Sequence, residues 1–298
     1  KTTSGITRSA HLLKAMMAFR HLLVTEQLAP EKTKTGYLCM EPYKWMFNSC
    51  RIPVAGEDVS TSFDPAAHQH VIVVRNGHFF AVDLVNKMTG KELSVAEIEV
   101  QLDRIMNDSR TQKMASAPVG AFTAANRDAW LKNREALLSG PSAEQNRKAL
   151  EKIESGIIVL ALDSGKPVTF DERGVAVYGG DARNRFFDKQ QIVVSENGAS
   201  GYIGEHSMMD GSQTLRLNNF MVSALEAGKI ELGGPSSGSV LDDPEYLSFD
   251  VNADLSNASN AAGQDFASLM DEQDMSVLDF TAYGKEAIKQ YKCSPDAW

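Results

Sequence analysis

Residues 184–211 read NRFFDKQQIVVSENGASGYIGEHSMMDG. Gln191 to Val194 has strand character, Glu196-Asn197-Gly198 is a turn, and residues 202–204 lead into a loop that holds one histidine, His206. Acids stand near it at Glu205 and Asp210. A general base that works near neutral pH needs a pKa near neutral, and histidine is the side chain that has one. His206 is therefore the candidate base. Asp210, four residues on, either orients the imidazole or lines the site. Gly204 and Gly211 allow the backbone to turn tightly on either side. Taken alone, a His-x-x-x-Asp spacing is common, and a lone histidine is usually an ordinary packed or exposed side chain. Arg185, Asp188 and Lys189, at the entrance to the strand, read as a structural ion-pair set.

Outward from this stretch, apolar spacing alternates between helical and strand periods. Residues 9–27 have helical spacing, and 29–36 form a turn-rich break. Residues 40–51 are aromatic-rich, with Pro42 suited to a first helical turn, and 53–65 read as a loop. Residues 70–84 predict a β-hairpin, because Asn76-Gly77 tolerates the positive φ that a tight hairpin turn demands. Ser94 and Glu97 form a capping box for a helix over 95–106. Residues 119–122 are short and apolar, and helices follow at 126–138 and 142–154. The run GIIVLAL at 156–162 predicts a buried central strand. Further helices are expected at 212–227 and 260–273, a linker at 233–239, and an alternating strand at 275–282. The succession places the chain in the mixed α/β class.

Composition narrows the function classes. The chain has 298 residues, 43% hydrophobic and 23% charged, an ordinary globular balance. No apolar run approaches the roughly 18 residues of a membrane helix. Cys39, Cys50 and Cys293 are widely spaced and odd in number, which argues against a disulfide scaffold and for a reducing compartment. No cysteine or histidine cluster suggests zinc, so no metal is expected. His68 and His70 fall on one strand face without a third ligand, and with His78 they read as surface or hairpin histidines. Residues 230–284 hold eleven acids and neither Lys nor Arg, a local charge of −11 against −9 for the whole chain. The remainder is nearly neutral, and no basic stripe with interleaved aromatics points to nucleic acid. Lys1 is not a start methionine and Trp298 follows Ser-Pro-Asp-Ala directly, so both ends are expected to be cut.

Several separated motifs together carry a resemblance. Asn184-Arg-Phe-Phe-Asp-Lys189, Asn197-Gly198 and Glu205-His206-Ser-x-x-Asp210-Gly211 resemble the signature of the carnitine/choline acyltransferase family. So do residues 43–53 with Phe47, Arg51 and Pro53; His70-x-Ile72-Val-Val with Gly77-x-Phe79-Phe80; and Pro118-Val-Gly120, Thr123, Arg127-Asp128 and Trp130. Gly284-Lys285-x-x-x-Lys289-x-x-Lys292-x-Ser294-Pro295-Asp296-Ala297 resembles the family's coenzyme A segment. Gln190 stands where the family pattern has an apolar residue, and Trp298 where it has Phe.

The resemblance implies an internal fragment of a two-domain α/β fold. Each half would be chloramphenicol-acetyltransferase-like, with mixed sheets, flanking helices and an active-site tunnel between the halves. Residues 1–240 would form the domain with the catalytic histidine, and 241–298 the start of an incomplete second domain. It implies that His206 is catalytic, with Asp210 beside it, and that Lys285, Lys289, Lys292, Ser294 and Asp296 belong to the coenzyme A segment. The implied reaction moves an acetyl group between coenzyme A and the hydroxyl of carnitine. The alternatives are choline or a longer acyl chain, or a non-catalytic acyl-coenzyme A-binding module. Coenzyme A and acetyl-coenzyme A would be substrates rather than permanently bound cofactors. The other implied partner is carnitine, with no nucleic acid and no transmembrane segment. The protein would be a monomer, mitochondrial or peroxisomal. The residues themselves agree with a phosphate grip: Lys285, Lys289 and Lys292 share one face if the stretch is helical, although such a face can equally be a solvated one. Met208 and Met209 are expected to pack a pocket beside His206.

Overall fold

The computed structural model describes residues 4–234 and 240–298. In chain order the helices are α1 (Gly5–Val24), α2 (Val95–Met106), α3 (Arg127–Leu137), α4 (Ala143–Ser155), α5 (Phe170–Tyr178), α6 (Gly211–Glu226), α7 (Ala253–Asp271) and α8 (Lys285–Gln290). The strands are β1 (Ser49–Ile52), β2 (Val59–Ser62), β3 (His70–Arg75), β4 (His78–Asp83), β5 (Val159–Asp163), β6 (Gln191–Ser195), β7 (Ser200–Ile203) and β8 (Glu245–Leu247). β1 and β2 form a two-stranded ribbon. The other six make one mixed sheet in the order β7-β6-β5-β3-β4-β8, with β3, β5 and β6 mutually parallel and the remaining pairs antiparallel.

Parallel strands must be covered on both faces, and here they are. Side chains alternate along each strand and so sort into two cores. Val71, Val73, Leu160, Leu162, Ile192 and Val194 face α1, α2 and α6. Ile72, Val74, Val159, Ala161 and Val193 face α3 and α4, where Trp130, Leu137, Leu150 and Ile153 fill the second core. The run at 156–162 is thus apolar at successive positions because β5 is central and buried on both sides.

Local chemistry sets the element ends. The hairpin closes as its sequence predicts, with Arg75 opposite His78 and positive φ at Asn76 (48°) and Gly77 (74°). The Ser94–Glu97 capping box is formed on α2. α1 starts earlier than apolar spacing indicates, because Ser4 caps it. α7 begins at Ala253, where Asn252 accepts from Leu255 N, rather than near 260. Pro42 lies in a short 3-10 turn, Glu41–Trp45.

Two of the expected segments change. Residues 53–65 are not only a loop, since β2 returns along β1. Residues 275–282 form no strand: among the described residues the segment pairs with no sheet edge, and Val277 N donates to the Asp171 side chain. α5 and β8 carry too little periodicity to have been anticipated. Residues 235–239 of the expected linker lie outside the described residues. β8 and α7, from the segment expected to open a second domain, pack on the sheet and on the 3-10 turns at Val119–Ala124 and Ala182–Asn184. Among the described residues, no helix is long and apolar enough to cross a membrane.

His70 is not a surface histidine. It lies buried at the start of β3, and His68 sits before the strand with its ring centroid 6.2 Å away. The Nε2 atom of His70 lies 2.8 Å from the Lys152 carbonyl, to which it donates. Burial pulls the imidazole from 6.5 down to about 4, against the opposing effect of that hydrogen bond. A lowered folded pKa means that the unfolded chain binds the proton first as pH falls. His70 therefore holds its full contribution above pH 6.5 and loses it between 6.5 and about 4. At about 1.4 kcal/mol per pH unit, the expected loss is about 3 kcal/mol. Denaturant titrations across this window should show a shallower acid decline for His70→Gln than for the parent. Equal slopes would remove His70 as the cause.

Candidate active site

The His206 loop leaves the end of β7 and enters α6. Asp210 is the N-cap of that helix, its Oδ1 accepting from Gly211 N at 2.6 Å. The same Oδ1 lies 3.3 Å from His206 Nε2, so the two candidate catalytic side chains do meet. Both are open to solvent, at 78% and 79% side-chain exposure. The His206 imidazole is therefore reachable from solvent and is not enclosed by the described residues. Met209 is anchored in the core below the loop, whereas Met208 is 40% exposed. The expected pocket packing is therefore divided between the two methionines.

The Glu205 side chain also faces inward. Its carboxylate accepts from Ser207 N at 3.0 Å and from Ser207 Oγ at 2.7 Å, and lies 3.8 Å from Arg51. Arg51 donates to Asp58 at 2.6 Å, Asp58 also accepts from Arg127 at 2.6 Å, and Arg127 reaches Asp188 at 2.7 Å. Trp130 Nε1 closes the series on Asp188 at 2.8 Å. Burial pushes the Asp188 carboxyl above its ordinary range, with Arg127 and Trp130 pulling the other way. Residues from separate sequence motifs thus converge in one network behind the histidine loop. Asp58 was invisible in the sequence, because nothing distinguishes it from neighbouring Glu57 until the β1–β2 ribbon folds it onto two arginines.

The charges at 185–189 are structural, but not all as ion pairs. Arg185 is fully buried, bidentate to Asp163 at 2.7 and 2.8 Å, and donates to the Ala176 carbonyl. A Cβ at Gly120 would run into the Arg185 carbonyl oxygen, which explains a glycine in that motif. Lys189, also buried, donates to the carbonyls of Ser49 and Glu154, both at 2.7 Å. Burial brings its ammonium down to about 8.

The lysine segment is separate. α8 places Lys285 and Lys289 four residues apart, on one face. Lys292 does not share it, because the helix ends at Gln290 and Lys292 has a φ of 58°. All three lysines, Ser294 and Asp296 are exposed. Ser294 accepts through its carbonyl from Ala297 and Trp298 in a closing turn. Among the described residues, no hydrogen bond or ion pair joins this segment to His206 or Asp210.

Comparison with known proteins accounts for this set of motifs. The sequence profile of the Choline/Carnitine o-acyltransferase family matches residues 1–298. The chain is similar to the mitochondrial carnitine O-acetyltransferase of Saccharomyces cerevisiae, 29% identical over 98% of the chain and 44% of that protein. It is 28% identical to the carnitine O-acetyltransferase of Homo sapiens, over 97% of the chain and 47% of that protein. A highly reducing polyketide synthase of Aspergillus luteorubrus is 34% identical over 75% of the chain, a region that makes up 7% of that protein. The chain spans about half the length of the curated carnitine acetyltransferases it matches. With a profile match along its whole length and the family's motifs gathered into one scaffold, the chain belongs to the choline/carnitine O-acyltransferase family.

Proposed function

We propose that this chain carries the general base of an acyl transfer between coenzyme A and the hydroxyl of carnitine, with an acetyl group as the preferred cargo. The observation that carries the reading is the open His206–Asp210 pair, 3.3 Å apart at the N-terminus of α6. Asp210 beside Nε2 favours a proton there, which leaves the other ring nitrogen to accept one. In the forward step His206 takes the hydroxyl proton as the oxygen bonds to the thioester carbonyl carbon. The tetrahedral intermediate then expels the coenzyme A sulfur, which leaves as the thiol when His206 returns the proton. Both substrates meet at one base, so no acyl-enzyme is needed. Support for carnitine and acetyl comes from the names of the relatives, one of which is mitochondrial. A mitochondrial site of action belongs to the same proposal.

Lys285 and Lys289 are the proposed phosphate grip for coenzyme A, lysine acting as a point charge. Lys285→Ala and Lys289→Ala are each expected to raise the coenzyme A KM severalfold, about 1 kcal/mol per lost contact, with kcat little changed. A change in kcat alone would reject the assignment.

A second reading rests on the 34% identity to the polyketide synthase. Here the chain would be an acyltransferase unit that moves a polyketide acyl group to a hydroxyl acceptor by the same base. Thiol release from acetyl-coenzyme A, measured with carnitine and with choline in the protein carrying residues 1–298 in their natural context, tests the first reading. Release with carnitine supports it. Release with choline alone moves the acceptor, and coenzyme A binding by calorimetry without release with either acceptor points away from acetyl transfer.

A further inference from the structure

We propose that Gln190 is a positioning residue for His206, its buried carboxamide holding the two peptide units on either side of Glu205. The inference rests on the reading of His206 as the base. Gln190 is 5% exposed and precedes β6, and its own carbonyl accepts from Val159 N at 3.0 Å in the ladder to central β5. Its backbone is therefore tied to the central, buried strand of the sheet. The antiparallel β6–β7 ladder ends at the Gln191–Ile203 pair. Beyond it the Gln190 side chain takes over the work of a strand. Oε1 accepts from Glu205 N at 3.2 Å and from the Tyr202 hydroxyl at 2.9 Å. Nε2 donates to the Glu205 carbonyl at 3.0 Å, which belongs to the peptide bonded to His206.

Two further tethers of the loop lie after the histidine, at buried Met209 and at the Asp210 N-cap. Before it, the Glu205 carboxylate bonds forward to Ser207, within the loop itself, and lies 3.8 Å from Arg51 of the β1–β2 ribbon. Gln190 is thus what ties the upstream side of His206 to the sheet. An apolar side chain at this position would fill the space but leave the Glu205 N–H and carbonyl without these partners, and the loop would be free to shift. A displacement of about 1 Å at a catalytic group can cost on the order of a hundredfold in rate.

The test uses Gln190→Leu, similar in volume but without the carboxamide, and Tyr202→Phe, which keeps the ring and removes the hydroxyl that orients Gln190. Both are made in the protein carrying this chain in its natural context. Amide hydrogen exchange of the loop, thermal stability and acetyl-transfer kinetics are measured together. For Gln190→Leu the expected result is exchange at 204–207 faster by about tenfold or more, with β5 and β6 unchanged. It also includes a kcat lower by about ten- to a hundredfold at an unchanged coenzyme A KM. Tyr202→Phe should show the same pattern in weaker form, and it decides the matter if Gln190→Leu does not fold. A purely structural role would lower the melting temperature and leave kcat per folded molecule intact, which overturns the proposal. So does unchanged exchange at 204–207. Should His206→Ala retain full turnover, the reading of the base fails instead, and the exchange data still report separately whether Gln190 holds the loop.

Discussion

His206→Ala is expected to abolish measurable acetyl transfer while leaving coenzyme A affinity and fold stability near those of the parent. General acid–base catalysis contributes typically about 10²- to 10⁴-fold, and among the described residues no second imidazole lies beside His206 to take over. Among the described residues the other histidines near the sheet are committed elsewhere: His70 to the Lys152 carbonyl and His78 to the Tyr246 hydroxyl. Because the His206 side chain is 78% exposed, its removal creates no cavity, and a stability change within about 0.5 kcal/mol is expected. Thiol-release kinetics, calorimetry with coenzyme A and a melting curve check the three parts. Turnover near the parental rate would remove His206 from its role. Asp210→Asn is the informative companion, since asparagine keeps the α6 cap but removes the charge beside Nε2. It should lower kcat less than His206→Ala does and leave stability unchanged. Asp210→Ala should in addition cost about 1 kcal/mol through loss of the cap.

Arg127→Ala is expected to produce the largest loss of stability, about 3–5 kcal/mol at pH 7 to 8. The reason lies in Asp188, whose side chain is 3% exposed and whose burial already opposes its ionisation. Without Arg127 the carboxylate keeps only the Trp130 N–H of its two side-chain donors, and Asp58 loses one of its two guanidinium partners. Against a total stability of about 5–15 kcal/mol, the loss is enough to unfold much of the protein. The pH dependence has a definite sign. A carboxyl raised in the folded state costs stability as pH rises from its unfolded value through its folded one. The deficit of Arg127→Ala relative to the parent should therefore shrink as pH falls, because losing Arg127 removes what opposes the burial that raises the Asp188 carboxyl, and protonation relieves the buried charge. Denaturant unfolding at pH 5 and pH 8 checks this, and a deficit larger at pH 5 would show that the buried charge is not the cause. Because the same network reaches Arg51 and Glu205, the surviving folded fraction should also turn over more slowly.

Sequence and tertiary structure contribute differently to these conclusions. The Asn76-Gly77 hairpin, the Ser94 capping box and the central strand at 156–162 were legible because each is written in contiguous residues. A turn needs two residues of the right φ, a cap needs two side chains three positions apart, and a strand buried on both faces needs an unbroken apolar run. The same applies to the His206–Asp210 pair, which requires only four residues of separation and a helix that starts directly after Asp210. The strand expected at 275–282 shows the limit. Alternation describes a segment that is able to pair, but the pairing depends on a free edge elsewhere in the chain, and that segment finds none. β2 and β8 show the converse, being short and weakly patterned yet held by partner strands.

Sequence alone determined the family motifs, their order and the identity of the candidate base. Tertiary structure decided what most of those motifs do. Arg51, Asp58, Arg127, Trp130 and Asp188 become one network only when β1, the ribbon loop, α3 and the approach to β6 are brought side by side. Gln190, a departure from the family's apolar pattern in the sequence, is seen in the structure to hydrogen-bond both the N–H and the carbonyl of Glu205. The physical reason is that a hydrogen bond or ion pair is set by separation in space, within about 3 Å. Residues far apart in the chain carry no mark in the sequence of the partner that folding will bring to them.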